Sequence, residues 1–264
     1  SAPWGSTHEE TWKVMKKHDF LAGQYIWTGF DYIGEPTPYP WPARSSYFGI
    51  IDLAGFPKDV YYMYQSEWTN KTVLHIFPHW NWKQGDIVDI WAYYSNADEV
   101  ELFLNGQSLG TKKKSGDDLH ISWRVNYKPG TLKAVSRKNG KIVLTKEIKT
   151  AGAPARIILS ADRKLIKADG SDLSYITAKI TDANGTVVPD AGDLIEFTVT
   201  GNATIAGTGN GSETSMESFK ASKHTAFNGL CLAVIQAGEK RGKVTITATA
   251  KGLGSSSVEL IMDN

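Results

Sequence analysis

Apolar and polar positions alternate with a period of two along most of the chain. Near residue 100, for example, Val100, Leu102 and Leu104 alternate with Glu99 and Glu101. This alternation is typical of strands with one buried face. Similar runs predict strands at TVLHIF, GDIVDIWAYYS, DEVELFLNG, HISWRV and KIVLTKEI before residue 150, and at ARIILSADR, YITAKITDANGTVVPD, DLIEFTVTG, GLCLAVIQA, GKVTITATA and SSVELIM after it.

Asn-Gly pairs separate many of these runs. Asn105-Gly106 and Asn139-Gly140 lie between alternating segments, where this dipeptide favours a two-residue hairpin turn. Asn184-Gly185, Asn210-Gly211 and Asn228-Gly229 mark further breaks. Together the pattern predicts two Ig-like antiparallel β-sandwiches in series, over residues 70–151 and 152–264.

Residues 1–69 follow a different pattern, which predicts helix, strand, loop and helix. A capping box from Ser6 to Glu9 predicts a helix over about residues 7–17. The apolar run LAGQYIWTGF favours a strand buried on both faces, and Pro57 favours the start of a second helix. One strand and two helices cannot close a sheet or a barrel, so the pattern indicates a piece of an α/β fold.

Composition excludes several classes of function. The net charge is +1 without a long basic block, so no nucleic-acid partner is expected. The apolar runs are shorter than the roughly 18 residues that span a bilayer, so no membrane segment is expected. Cys231 is the single cysteine, and His75 and His79 lack a nearby third ligand, so no metal or cofactor is expected either.

The segment YIWTGFDYIGEPTPYPWP is unusually aromatic, whereas residues 153–264 contain no Trp. It could form a carbohydrate site, with rings against the sugar and carboxylates on its hydroxyls, or a proline-stiffened loop that covers a core. In a (β/α) barrel the active site forms at the ends of the strands and in the loops after them. That position makes these residues candidates for substrate contact: Trp27, Asp31, Glu35, Trp41, Arg44, Phe48 and Asp52.

Residues 20–68, FLAGQYIWTGFDYIGEPTPYPWPARSSYFGIIDLAGFPKDVYYMYQSEW, resemble the last strand, loop and helix of the catalytic barrel in bacterial glycoside hydrolase family 2 enzymes of the β-galactosidase type. Residues 72–150 resemble the small sandwich that follows this barrel. The chain from Ala153 onward resembles the C-terminal Ig-like domain, most distinctively at ESFKASKHTAFNGLCLAVIQA. The resemblance implies a mainly β chain with a (β/α)8 barrel remnant over residues 1–69.

The family resemblance also implies an activity for the parent protein. Such enzymes are retaining exo-β-glycosidases that remove terminal β-linked sugars with two Glu residues, of which the acid/base follows an Asn. No Asn-Glu dipeptide occurs in this sequence, and the nucleophile strand would stand before Ser1. We therefore expect no catalytic residue in this chain and no activity from it alone. The resemblance makes Trp27 a wall of the sugar pocket, with Asp31, Glu35 and Phe48 as further substrate contacts.

Two alternatives stay open at this stage. The sandwiches could be carbohydrate-binding or adhesive modules without catalysis, or they could serve structure and subunit contacts in a homo-oligomer. A periplasmic or extracellular location is the expectation for the parent protein. Its expected partner is a carbohydrate substrate.

Overall fold

The computed structural model describes residues 5–263 and is mainly β. It divides into two compact units after Thr150. Each unit contains a β-sandwich, and the first also carries two helices. The predicted fold class is therefore confirmed, whereas the finer domain boundary between residues 69 and 70 stays a prediction.

Helix α1, His8–Met15, is capped one residue later than the sequence pattern predicts. The Thr7 side chain accepts a hydrogen bond from the Glu10 backbone, and the Glu10 carboxylate accepts one from the Thr7 N–H at 2.7 Å. The predicted box of Ser6 and Glu9 is wrong because Glu9 has other partners. Its carboxylate accepts hydrogen bonds from Tyr93 and pairs with His120, both on the first sandwich.

The predicted buried strand at residues 21–30 is also wrong. In the structure this segment is irregular, with a single bridge from Phe30 to Ile51. Tyr25 is fully exposed, and Trp27 and Phe30 are exposed over 71% and 60% of their surface. An apolar strand buried on both faces needs neighbouring strands, and residues 5–263 supply none beside this segment.

Helix α2, Asp59–Trp68, follows the loop as predicted, although Lys58 rather than Pro57 occupies its N-cap. Met63 and Tyr64 of this helix are buried and pack in one cluster with Ile50, Tyr93 and Leu119. This cluster fixes the helical part of the first unit against its sandwich.

The first sandwich contains seven strands: β1 Leu74–Phe77, β2 Ile87–Tyr94, β3 Glu99–Leu104, β4 Gln107–Lys112, β5 His120–Asn126, β6 Thr131–Lys138 and β7 Lys141–Lys149. They form two antiparallel sheets of order β1-β2-β5 and β4-β3-β6-β7. The core alternates along the strands as the sequence pattern requires, and Ile90, Val100 and Leu102 are completely buried.

The strands of the second sandwich are β8 Arg156–Ala161, β9 Leu165–Lys167, β10 Leu173–Thr181, β11 Leu194–Thr200, β12 Ala203–Gly209, β13 Lys223–Thr225, β14 Leu230–Ala237, β15 Gly242–Ala250 and β16 Gly254–Asp263. They form sheets of order β12-β14-β10-β8 and β13-β11-β15-β16-β9. All the described pairs are antiparallel except that of β9 with β16.

The two predicted hairpin turns are confirmed. Asn105-Gly106 connects β3 to β4, and Asn139-Gly140 connects β6 to β7, with positive φ at all four residues. Asn and Gly reach this backbone region at the lowest cost, which is why the dipeptide predicts the turn so well.

Cys231 is completely buried in the core of the second sandwich. Within residues 5–263, no group of three His, Cys, Asp or Glu side chains could hold a metal ion. Neither of the described helices has the length and apolar character needed to cross a membrane.

Candidate functional site

Two backbone segments lie side by side and shape the candidate site. The Thr28 N–H donates to the Phe48 carbonyl at 3.3 Å, and the Ile50 N–H donates to the Thr28 carbonyl at 3.1 Å. Further along, the Asp31 N–H donates to the Ile51 carbonyl at 2.9 Å. These bonds hold both ends of the loop together although the chain between them is largely irregular.

Gly49 allows this close approach. A Cβ atom at this position would overlap the backbone of Phe30 and Asp31 and would lie 2.7 Å from the Ile51 carbonyl oxygen. Any larger residue would therefore push the two segments apart.

Asp31 lies beneath the surface. Its side chain is completely buried, and its Oδ2 atom lies 2.5 Å from Nζ of Lys58. Its Oδ1 atom accepts hydrogen bonds from the Gly49 N–H at 2.8 Å and from the Ser46 hydroxyl at 3.3 Å. Lys58 also donates to the Tyr47 carbonyl at 3.1 Å. The buried ion pair thus ties the start of helix α2 to the loop.

A cavity of about 540 Å³ lies next to this ion pair, with Gly49 and Lys58 among its lining residues. Three of the four sequence-predicted contact residues line it: Trp27, Glu35 and Phe48. The fourth, Asp31, does not appear among its described lining residues. The structure therefore brings Trp27, Glu35 and Phe48 together and places Asp31 in a supporting position.

Tyr32 connects the three lining residues, and sequence reasoning missed it. Its hydroxyl donates to the Glu35 carboxylate and accepts a hydrogen bond from Nε1 of Trp27 at 3.3 Å. Its ring meets those of Trp27 and Phe48 edge to face, at centroid distances of 6.4 and 6.3 Å. The hydrogen bond to Glu35 raises the pKa of Tyr32, so the hydroxyl keeps its proton. The one feature of the sequence that could have singled out Tyr32 as a site residue is its position next to Asp31.

His8 lines the cavity, although the sequence did not single it out as a site residue. Its Nδ1 atom lies 3.0 Å from the Tyr64 hydroxyl. Burial lowers the pKa of His8, so the imidazole is neutral at neutral pH. In the sequence His8 is the residue directly after the helix N-cap, a position that does not indicate a place in a cavity.

Of the remaining candidates, Trp41 is 77% exposed, and it is absent from the cavity lining. Asp52 closes a turn, with its Oδ1 atom accepting from the N–H groups of Ala54 and Phe56, each at 2.9 Å. Burial raises the pKa of Asp52 to about 6 despite these two bonds. The two hydrogen bonds that Asp52 accepts hold the turn before helix α2.

The cavity has the chemistry of a binding wall. An exposed indole can stack against the C–H face of a ring, and the carboxylate and imidazole offer hydrogen bonds to hydroxyl groups. Glycosidase carboxylates, in contrast, work as a pair across the scissile bond. In the described structure Asp31 is engaged by Lys58 and Glu35 by Tyr32.

Family models match both sandwiches. Residues 157–259 match the model described as "Glycoside hydrolase family 2 C-terminal domain 5", and residues 85–144 match a domain of unknown function, DUF4982. Together with the relatives below, the match shows that the chain belongs to glycoside hydrolase family 2 and corresponds to a C-terminal portion of its members.

Within this family the chain is similar to proteins with more than one named activity. It is 58% identical to beta-galactosidase BoGH2A of Bacteroides ovatus over 98% of its own length and 30% of that protein. It is 38% identical to a putative beta-glucuronidase of Formosa agariphila over 72% of the chain and 19% of that protein. The solved structure of a beta-glycosidase from Bacteroides vulgatus superposes with a TM-score of 0.90 at 35% identity, covering 97% of this chain and 33% of that one. The chain thus spans about a third or less of each relative.

Proposed function

We propose that this chain forms part of a longer retaining exo-β-glycosidase, a β-galactosidase, to which it contributes one wall of the sugar pocket. The observation that carries the proposal is the cavity in which Trp27, Glu35 and Phe48 meet. The 58% identity to a protein named beta-galactosidase supports the choice of sugar. In this proposal Trp27 stacks on the sugar, and Tyr32 holds the indole and the Glu35 carboxylate in position.

Hydrolysis in the proposed parent needs a general acid for the leaving oxygen and a carboxylate nucleophile for the anomeric carbon. We assign neither role to this chain. Asp31 and Glu35 are already engaged, and the Asn-Glu pair of the family motif is missing from the sequence. The chain alone is therefore proposed to bind sugar weakly and to hydrolyse nothing.

The charge of the wall favours a neutral sugar over a glucuronide. A glucuronate carboxylate calls for an available cation, such as a free Arg or Lys. Among the described lining residues, Lys58 already pairs with Asp31, and His8 is neutral because burial lowers its pKa. This supports galactoside over glucuronide as the substrate.

The test is hydrolysis of nitrophenyl glycosides by the longer protein and by the 264-residue chain. We expect kcat/KM for the β-galactoside to exceed that for the β-glucuronide at least tenfold in the longer protein, and no turnover by the chain. Preference for the glucuronide would refute the choice of sugar. Turnover by the chain that Glu35→Gln abolishes would refute the division of roles.

A further inference from the structure

A second cleft, of about 600 Å³, lies on the first sandwich between strands β4 and β5. These strands are the edges of opposite sheets, since β4 pairs with β3 and β5 pairs with β2. Leu104, Leu109 and Val125 give the cleft an apolar floor. We call it the basic cleft, because of the side chains described next.

The basic cleft carries three cations, Lys112, Arg124 and Lys128, and its described lining includes no acidic residue. Gln107 and Asn126 add two amides, and a third, that of Asn105, is already bonded to the backbone of Pro129 and Thr131. Arg124 approaches Asp89 at 3.5 Å, but both side chains are more than half exposed, so this pair is weak. Among the described residues, the side chains of Gln107, Asn126 and Lys128 have no hydrogen-bond or ionic partner. They are thus free to bind a ligand.

The two strand edges are bridged beneath the cleft. Nε1 of Trp123 donates to the Gly110 carbonyl at 3.1 Å, and Nζ of Lys112 donates to the Ser122 carbonyl at 2.7 Å. The pairing of β4 with β3 also shifts register between Glu101 and Phe103. An added peptide strand needs a regular edge with unoccupied backbone groups, which this arrangement does not offer. Side-chain recognition fits the basic cleft better.

We propose that the basic cleft binds an acidic polysaccharide. Arg124 and Lys128 would contact its carboxylate or sulfate groups, as charge-assisted hydrogen bonds favour. Gln107 and Asn126 would bind neighbouring hydroxyl groups. The cleft has three cations, two free amides and no acidic residue in its described lining. This chemistry matches a ligand that carries both anionic and hydroxyl groups.

The experiment measures binding of the 264-residue chain by isothermal titration calorimetry in 150 mM NaCl. The probes are polygalacturonate, a sulfated galactan, neutral galactan and poly-glutamate. The test variant is Arg124→Gln with Lys128→Gln. The matched control is Lys141→Gln with Lys146→Gln, two exposed lysines of β7, which removes the same charge. Circular dichroism checks that both variants fold.

We expect an acidic polysaccharide to bind while neutral galactan does not, and whichever of the two acidic probes binds more tightly identifies the anionic group. The test variant is expected to lose roughly tenfold or more in affinity, since two charge-assisted contacts are removed. The control should retain its affinity. An equal loss in both variants, tighter binding of poly-glutamate, or no binding of either acidic polysaccharide would overturn the proposal. None of these outcomes depends on glycosidase activity.

Discussion

Replacing Lys58 with Met should destabilise the first unit strongly, because it leaves the Asp31 carboxylate buried without its charge partner. The Asp31 side chain is completely buried, and the two charged atoms lie 2.5 Å apart. Breaking a buried pair by removing one partner costs about 3–5 kcal/mol. Since Lys58 is 27% exposed, water can partly replace it, and the lower end, about 3 kcal/mol, is the expected loss.

Urea unfolding followed by tryptophan fluorescence measures this loss selectively. All nine tryptophans of the sequence lie before residue 124, so the signal reports on the first unit. The control is Lys146→Met, which removes an exposed lysine of β7. Adding Asp31→Asn to Lys58→Met should recover part of the loss, because the amide can still accept from the Gly49 N–H without carrying a charge.

A loss below about 1 kcal/mol for Lys58→Met, or one equal to that of the control, would refute the reasoning. It would mean that water reaches the Asp31 carboxylate in the folded chain. Asp31 would then be available to a ligand, as the sequence alone suggested.

Three further predictions concern single residues. Gly49→Ala should lower the free energy of unfolding, measured by fluorescence, by about 2 kcal/mol or more, since the added methyl group would overlap the neighbouring backbone. Gly29→Ala is the control and should lower it much less, because the space around its Cβ is open. Because the pKa of Asp52 rises from 3.8 to about 6 on folding, the folded state holds the extra proton, and the free energy of unfolding should fall as pH rises through that window. Asp52→Asn should abolish that slope, and an unchanged slope would contradict it. Burial raises the pKa of Cys231 to about 12, so iodoacetamide at pH 8 should label it in urea but not in the native chain; rapid native labelling would show that the core opens.

Most of the fold could be predicted from local sequence patterns. The Asn-Gly turns and the period-two runs depend on residues adjacent in the chain, so strands such as Ile87–Tyr94 and Leu230–Ala237 could be predicted closely. Short strands, and strands without a clear alternation of apolar and polar residues, could not be predicted. Strand Gln107–Lys112, for instance, is exposed almost throughout and lacks an alternating signal.

The candidate site was less predictable because its geometry depends on contacts between distant residues. The ion pair of Asp31 with Lys58, for instance, joins two residues that lie far apart in the sequence. The apolar run around Trp27 looked like a buried strand, since hydrophobicity alone does not tell whether neighbouring strands are present. Tyr32 could not be ranked above the other tyrosines of the segment without its contacts to Trp27 and Glu35.

The most direct test of the central claim compares Trp27→Ala with Trp41→Ala in the longer protein. Both tryptophans are largely exposed in the described structure, but Trp27 lines the cavity and Trp41 is absent from its lining. If Trp27 forms the sugar-facing wall, its removal should lower kcat/KM for nitrophenyl β-galactoside by roughly a hundredfold, as expected for losing an aromatic contact of about 3 kcal/mol in the transition state. Trp41→Ala should remain within about threefold of wild type, a change of less than 1 kcal/mol. Equal effects of the two substitutions, or no effect of Trp27→Ala, would contradict the account.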